Sequence, residues 1–265
     1  ANSVLARLAF ATGDAEPMSY TGIRLAAGAV TLALLLLVRR EPLRLAGSWA
    51  GAAALFGYAI LFSVAYVLLG AGTGALILFA SVQIGILGWA VYRGDRPGLL
   101  EWLGLAIAFA ALIYLVSPGL VAPHPLGALL MVISGLCWAA YTLIGRGSSA
   151  PLADTAGNFI RCLPVALVLL LAGATMHGVA PLAALYAIAS GALASGVGYA
   201  IWYSVLPRLT RTRAAIVQLT VPAIAATGGV LLIDELLTPR LIIASIGIIG
   251  GVAFALVTAG RRSSR

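Results

Sequence analysis

Apolar residues run through this chain in long blocks, interrupted every twenty or so positions by short polar connectors. A helix crossing the hydrocarbon layer needs roughly 20 mostly apolar residues. By that measure spans are predicted near 18–38, 48–69, 74–92, 99–117, 126–145, 155–173, 182–206, 214–233 and 240–258, with residues 1–12 as the end of an earlier one. The connectors, such as Gly70-Ala71-Gly72-Thr73-Gly74 and Ser117-Pro118-Gly119, are too short to hold an inserted soluble domain. The expected fold is all-α and integral to the membrane, with ten transmembrane helices. The chain opens abruptly at Ala1-Asn2-Ser3, already apolar and without a charged leader, and we expect the first half of span one to precede residue 1.

The ten spans divide into two sets of five. Gly57-Tyr58-Ala59-Ile60-Leu61-Phe62-Ser63-Val64 returns 141 positions later as Gly198-Tyr199-Ala200-Ile201-Trp202-Tyr203-Ser204-Val205, with six of eight residues identical. Ile23-Arg24 returns as Ile160-Arg161, Arg7 as Arg146 and Asp95 as Glu235 at similar offsets. Self-similarity of this kind marks a duplicated unit, here residues 1–120 and 121–265. Because each unit holds an odd number of spans, the second enters the membrane from the opposite side. The expected architecture is a pair of inverted-topology five-helix repeats, the arrangement whose two halves can exchange conformations and open one pathway to either side.

Composition agrees: 62% of the 265 residues are hydrophobic, only 9% are charged, and the mean hydropathy is +1.08. All 16 basic residues are arginine, and the net charge is +8. They form no patch interleaved with aromatics, which argues against a nucleic-acid partner. Instead they flank apolar blocks in alternate connectors: Arg39, Arg40 and Arg44; Arg93 and Arg96; Arg146; Arg208, Arg211 and Arg213; Arg261, Arg262 and Arg265. Positive charge in short loops stays on the cytoplasmic side, so both termini are expected there. Cys137 and Cys162 have no CxxC or zinc spacing and read as small buried hydrophobes. No metal or cofactor is expected.

An intramembrane enzyme would need a nucleophile with a base, or metal ligands, at membrane depth. Both histidines, His124 and His177, fall in loops, HExxH is absent, and Ser190 and Ser195 have no visible base, so the chain is not read as an enzyme. Polar groups inside spans should instead face a partner or a wet cavity, because lipid offers no hydrogen bonds. The four side-chain amides, Asn2, Gln83, Asn158 and Gln218, all fall in predicted spans. Asn2, Gln83 and Gln218 are candidates for contacting a substrate, against the alternative of amides bonding neighbouring helices. Tyr58, Phe62 and Tyr66 share one face of span three at i, i+4 and i+8; Tyr199, Trp202 and Tyr203 form the related face of span eight, and Trp138 with Tyr141 one in span six. With Phe79 of span four they are candidate lining for an aromatic or amphipathic solute, although helix packing would use the same residues. Spans five and ten are almost wholly aliphatic and are expected at the periphery. Trp89, Tyr92 and Trp102 read as interfacial anchors.

Arg24 and Arg161 lie inside spans, where pairing with Glu16 or Asp154, or reaching to the interface, would account for them; attraction of a substrate carboxylate is the alternative. The spacings Gly47 to Gly51 and Gly247 to Gly251 permit close helix contact, within the chain or in a homodimer.

The motifs Asn2-Ser3-Val4-Leu5-Ala6-Arg7, Ile23-Arg24-Leu25, Trp138-Ala139-Ala140-Tyr141-Thr142, Gly198-Tyr199-Ala200-Ile201-Trp202-Tyr203, and Pro222 followed thirteen residues later by Glu235, resemble in their order the drug/metabolite transporter superfamily in its EamA-type ten-span form. The resemblance covers essentially the whole chain and is greatest to the aromatic amino acid exporter (YddG-type) branch. Val82 and Asp95 stand where the family often has proline and glutamate. The resemblance implies a carrier of small metabolites in a bacterial inner membrane, with amphipathic drugs or nucleosides as alternative cargo and an ungated channel as the competing mechanism.

Overall fold

The computed structural model describes residues 2–11, 15–40, 46–94, 98–117, 122–146, 148–177, 180–205 and 220–263, and these are helical with no strand among them. In chain order the helices are α1 (Asn2–Ala11), α2 (Pro17–Val38), α3 (Trp49–Leu68), α4 (Ala71–Tyr92), α5 (Leu99–Val116), α6 (Pro125–Ile144), α7 (Pro151–His177) and α8 (Pro181–Ala189). A π-helix (Ser190–Val197) continues α8 into α9 (Gly198–Val205), and α10 (Thr220–Ile233) and α11 (Pro239–Ser263) follow. Among the described residues seven helices are long and apolar enough to cross a membrane; Leu99–Leu115 and Val221–Ile233 are apolar but shorter.

Five helices begin on a proline: Pro17, Pro125, Pro151, Pro181 and Pro239. The hydropathy pattern starts each of them one to four residues too late. A proline at the first helical position lacks only an N–H that would have no partner there, and its fixed φ suits the helix, so these prolines start helices rather than end connectors. Two starts, that of α2 and that of α3, are capped by side chains. The Glu16 carboxylate accepts from the Ser19 N–H at 2.9 Å, and the Ser48 hydroxyl accepts from the Gly51 N–H at 2.9 Å.

The most extensive packing joins the first 120 residues to the rest. Helix α2 lies along α7, α3 along α6, and α5 along α11, while α4 packs on both α6 and α10 and α1 lies against α8 and α10. Small residues permit these approaches. A methyl at Gly104 would sit 2.6 Å from the Gly251 carbonyl, and one at Gly251 would sit 2.5 Å from the Gly104 carbonyl. The Gly247–Gly251 stripe is therefore used within the chain, against Gly104, Ala108 and Ala111. Gly47 and Gly51 are used in the same way, against Asn158 of α7. Helices α5 and α11 expose Leu99, Ile107, Phe109, Ile242 and Ile246 on their outer faces. Lipid tails are as apolar as leucine, so such exposure carries no penalty in a bilayer, and close van der Waals packing rather than hydrophobic burial holds the helices together.

Candidate functional site

A continuous chain of rings runs through the middle of the molecule. Tyr66 and Phe62 meet edge to face at 4.5 Å, and Phe62 with Tyr58 at 5.4 Å and Tyr58 with Trp138 at 4.7 Å are tilted. Trp138 then branches, to Tyr141 at 5.3 Å and to Tyr199 at 5.5 Å in a stacked arrangement, and Phe159 closes on Tyr199 at 6.2 Å. The i, i+4 spacing puts the three rings of α3 on one face. The α3–α6 packing brings Trp138 onto them, and α9 brings Tyr199 from the second copy of the repeated segment. Tyr66 and Phe62 are fully enclosed, and Tyr58 and Tyr141 nearly so. Trp138 and Tyr199 are only half-buried, so the accessible part of the chain is their stacked pair.

Arg24 of α2 lies beside this chain, 2% exposed. Its Nη2 donates to the Tyr58 hydroxyl at 3.0 Å, and its guanidinium carbon lies 5.2 Å from the Tyr58 ring centre and 4.8 Å from that of Phe62. Cation–π contact of this kind is worth about 0.5–2 kcal/mol, the larger figure where water is excluded. The phenols of Tyr20, Tyr58 and Tyr199 are near enough to interact with the cation electrostatically. The expected pairing with Glu16 is not formed. Glu16 is committed to the start of α2, about two helical turns from Arg24, and among the described residues no carboxylate pairs with this arginine.

Arg161 reaches the connector before α3. It donates to the Ala46 and Gly157 carbonyls and lies 5.7 Å from the Trp49 ring centre. Asp154, its expected partner, instead accepts from the Gly47 N–H at 2.9 Å and from the Ser148 hydroxyl. Asn158 accepts from the Ser48 N–H at 2.9 Å. These three side chains of α7 hold the chain entering α3, because backbone groups between helices need partners where water is scarce.

The one ion pair among the described residues joins Arg7 of α1 to Glu235, whose carboxylate accepts from Arg7 Nε at 3.0 Å. The same carboxylate accepts from the N–H of Ala71, the first residue of α4, at 2.9 and 2.7 Å. Arg7 also donates to the Tyr66 carbonyl near the end of α3 at 3.0 Å. Charge is thus matched to both helix ends, an anion at the start of α4 and a cation at the end of α3. The carboxylate needs the space left by two glycines: a methyl at Gly70 would lie 3.0 Å from it, and one at Gly229 2.6 Å.

The remaining candidates scatter. Asn2 accepts from the Ser190 hydroxyl at 2.7 Å, tying α1 to the π-helix. Phe79 is half-buried against the core. Gln83 lies away from the rings, in an apolar groove of about 410 Å³ formed by α4, α5 and α11 with Ala80, Ile84, Trp102, Phe109 and Val252. Trp202 is half-buried outside the ring chain. Tyr203 belongs to α9, but its side chain, like all of Gln218, lies outside the described residues. Sequence reasoning missed Tyr20 and Phe159. Tyr20 sits one turn before Arg24, at i and i+4, and that spacing was its only signal.

An all-helical bundle of long apolar helices, with a buried cation and stacked rings between two copies of one segment, defines a multi-pass membrane protein with a polar and aromatic interior. The chain belongs to the EamA-like transporter family, whose model matches residues 125–257. It is 50% identical to an uncharacterised protein of Pseudomonas aeruginosa over 268 residues, covering 100% of this chain and 92% of that protein. It is also 33% identical over 98 residues to the uncharacterised inner membrane transporter YedA of Escherichia coli, covering 37% of this chain and 32% of YedA. A solved crystal structure shares the fold with a TM-score of 0.68 at 21% identity, covering 97% of this chain and 95% of that one.

Proposed function

We propose that this protein is a secondary carrier of the bacterial inner membrane that moves small neutral or zwitterionic metabolites, amino acids including aromatic ones, by alternating access, as an exporter or facilitator. The observation that carries the reading is the half-buried stacked pair of Trp138 and Tyr199, an accessible aromatic surface that the contact of Trp138 with Tyr58 ties to the rings of the first half. The ten-span inverted repeat is supported by the packing. When the rods are numbered in order, with α8, the π-helix and α9 as the eighth, a two-fold relation pairs each with the fifth one on. Rods two, four and five then pack on their own counterparts, while the contact of three with six is matched by that of eight with one, and four with six by nine with one.

The test is counterflow in liposomes with labelled l-phenylalanine. Saturable exchange is expected, with the initial rate falling at least tenfold in Trp138→Ala and Tyr199→Ala while both proteins remain inserted. Non-saturable flux would favour the channel, and unchanged rates in both variants would count against this lining. The groove beside Gln83 favours a second cargo, an amphipathic solute taken from the bilayer. On that reading Gln83→Ala slows efflux of an amphipathic cation and leaves phenylalanine exchange intact.

A further inference from the structure

Resting on that carrier reading, we infer that Arg24 is the anchor for a substrate carboxylate, so that the cargo bound at the rings belongs to the amino acids and related organic acids. The first ground is charge. A guanidinium stays protonated in a protein, and burying one at membrane depth without an anion is costly. Arg24 is 2% exposed, and among the described residues it has no carboxylate partner. The acid nearest along its own helix, Glu16, is used as a helix cap.

The second ground is hydrogen bonding. Nη2 is satisfied by Tyr58, but Nη1 is buried with no acceptor. The Tyr20 hydroxyl, also an electrostatic neighbour of Arg24, is buried beside Ser190. Buried polar groups in native proteins nearly always have partners, so a donor left open on a buried cation describes an absent acceptor. A carboxylate supplies two acceptor oxygens and one negative charge, and arginine recognises that geometry best.

The third ground is what surrounds the cation. Tyr58 accepts from Arg24 with its hydroxyl and meets Trp138 with its ring at a tilt, and Trp138 stacks on Tyr199. A molecule with a carboxylate on Arg24 has an aromatic surface next to it for its side chain. The π-helix lies against the same place, since a methyl at Gly191 would collide with the Arg24 carbonyl, and the adjacent Ser195 hydroxyl is buried without a partner. Wide π turns recur at functional sites.

Equilibrium binding of labelled l-phenylalanine to the purified protein, with l-phenylalaninamide and 3-phenylpropionate as competitors, tests the assignment. Phenylpropionate is expected to compete at least tenfold better than the amide. Arg24→Gln should weaken phenylalanine at least tenfold and leave the affinity for the amide within twofold, with Arg24→Lys in between. Equal competition by acid and amide in the unaltered protein, or parallel losses for both ligands in Arg24→Gln, would overturn the assignment. The competitor series needs no variant, so it decides the matter even if Arg24→Gln does not fold. Uptake separates the two readings: transport of the amide as fast as the acid, undisturbed in Arg24→Gln, keeps the carrier and removes the anchor. Arginine-dependent binding without any transport keeps the anchor and removes the carrier.

Discussion

At the scale of residues, Glu235 has the clearest single task. It caps a helix 164 positions away, in a helix start whose own cap residue, Gly70, has no side chain to offer. Removing the charge of Glu235 leaves Arg7 unmatched and weakens the acceptor at the Ala71 N–H, and removing that of Arg7 leaves the Glu235 carboxylate unmatched. Both side chains are about one-fifth exposed, so solvent screening moderates the loss. Glu235→Gln and Arg7→Gln are each expected to cost about 1–2 kcal/mol, and the double variant less than the sum, by thermal unfolding in detergent. Strict additivity would show that the two groups act independently. The buried serines behave differently: Thr21 donates to Ser63 at 2.8 Å, and Ser134 to the Tyr58 carbonyl at 3.0 Å, tying α2 and α6 to the helix that carries the rings.

Among the elements, the α5–α11 pair gives the sharpest test, because two adjacent glycines face opposite ways. Nothing lies within 4 Å of a methyl placed at Gly250, whereas at Gly251 one meets the backbone of α5. Alanine is about 1 kcal/mol better than glycine in a helix interior. Gly250→Ala should therefore be neutral or slightly stabilising. Gly251→Ala should be destabilising by about 1–3 kcal/mol, since two backbones must separate to admit it. Melting temperatures of the two variants check this, and a stabilising Gly251→Ala would mean the helices are not in contact as described. The groove holding Gln83 borders this pair, so the same substitution should also alter efflux of an amphipathic cation more than phenylalanine exchange.

The behaviour of the whole molecule turns on how the halves move and what drives them. If the arginine-bearing loops are cytoplasmic, the Arg7–Glu235 contact closes the external end, joining α1, α3, α4 and the segment before α11. All eight carboxylates of the chain, Asp14, Glu16, Glu41, Asp95, Glu101, Asp154, Asp234 and Glu235, fall in connectors or first turns by sequence. Carriers driven by protons or sodium commonly hold such a group along the pathway. We therefore expect a facilitator or exchanger that moves solute down its own gradient. With phenylalanine equal on both sides of sealed liposomes, an imposed pH or sodium gradient should produce no net accumulation. Uphill uptake that an ionophore abolishes would contradict this. Reporter fusions at residue 265 should be active only as cytoplasmic reporters, and the described parts of residues 18–117 and 155–258 should superpose about an axis in the membrane plane.

Local chemistry determined a great deal here. Twenty-residue apolar blocks must be helical where no water satisfies the backbone, so the existence and approximate limits of the helices were legible in the pattern, as was the alignment of Tyr58, Phe62 and Tyr66 on one face. The duplicated Gly-Tyr-Ala-Ile segment pointed to the region where Tyr58 and Tyr199 approach a common neighbour, Trp138. What the pattern left open were contacts between residues far apart in sequence. Charge proximity along the chain suggested Arg24 with Glu16 and Arg161 with Asp154, yet a carboxylate near a helix start is claimed by the free N–H groups there or in the adjoining chain, and the arginines go elsewhere. Whether an amide faces the rings or a lateral groove depends on which helix lies against it, so Asn2 and Gln83 were alike in sequence and differ in place. Only the packing of α2 against the π-helix, and of α3 against α6, decided that Arg24 would be enclosed among phenols with one nitrogen still open.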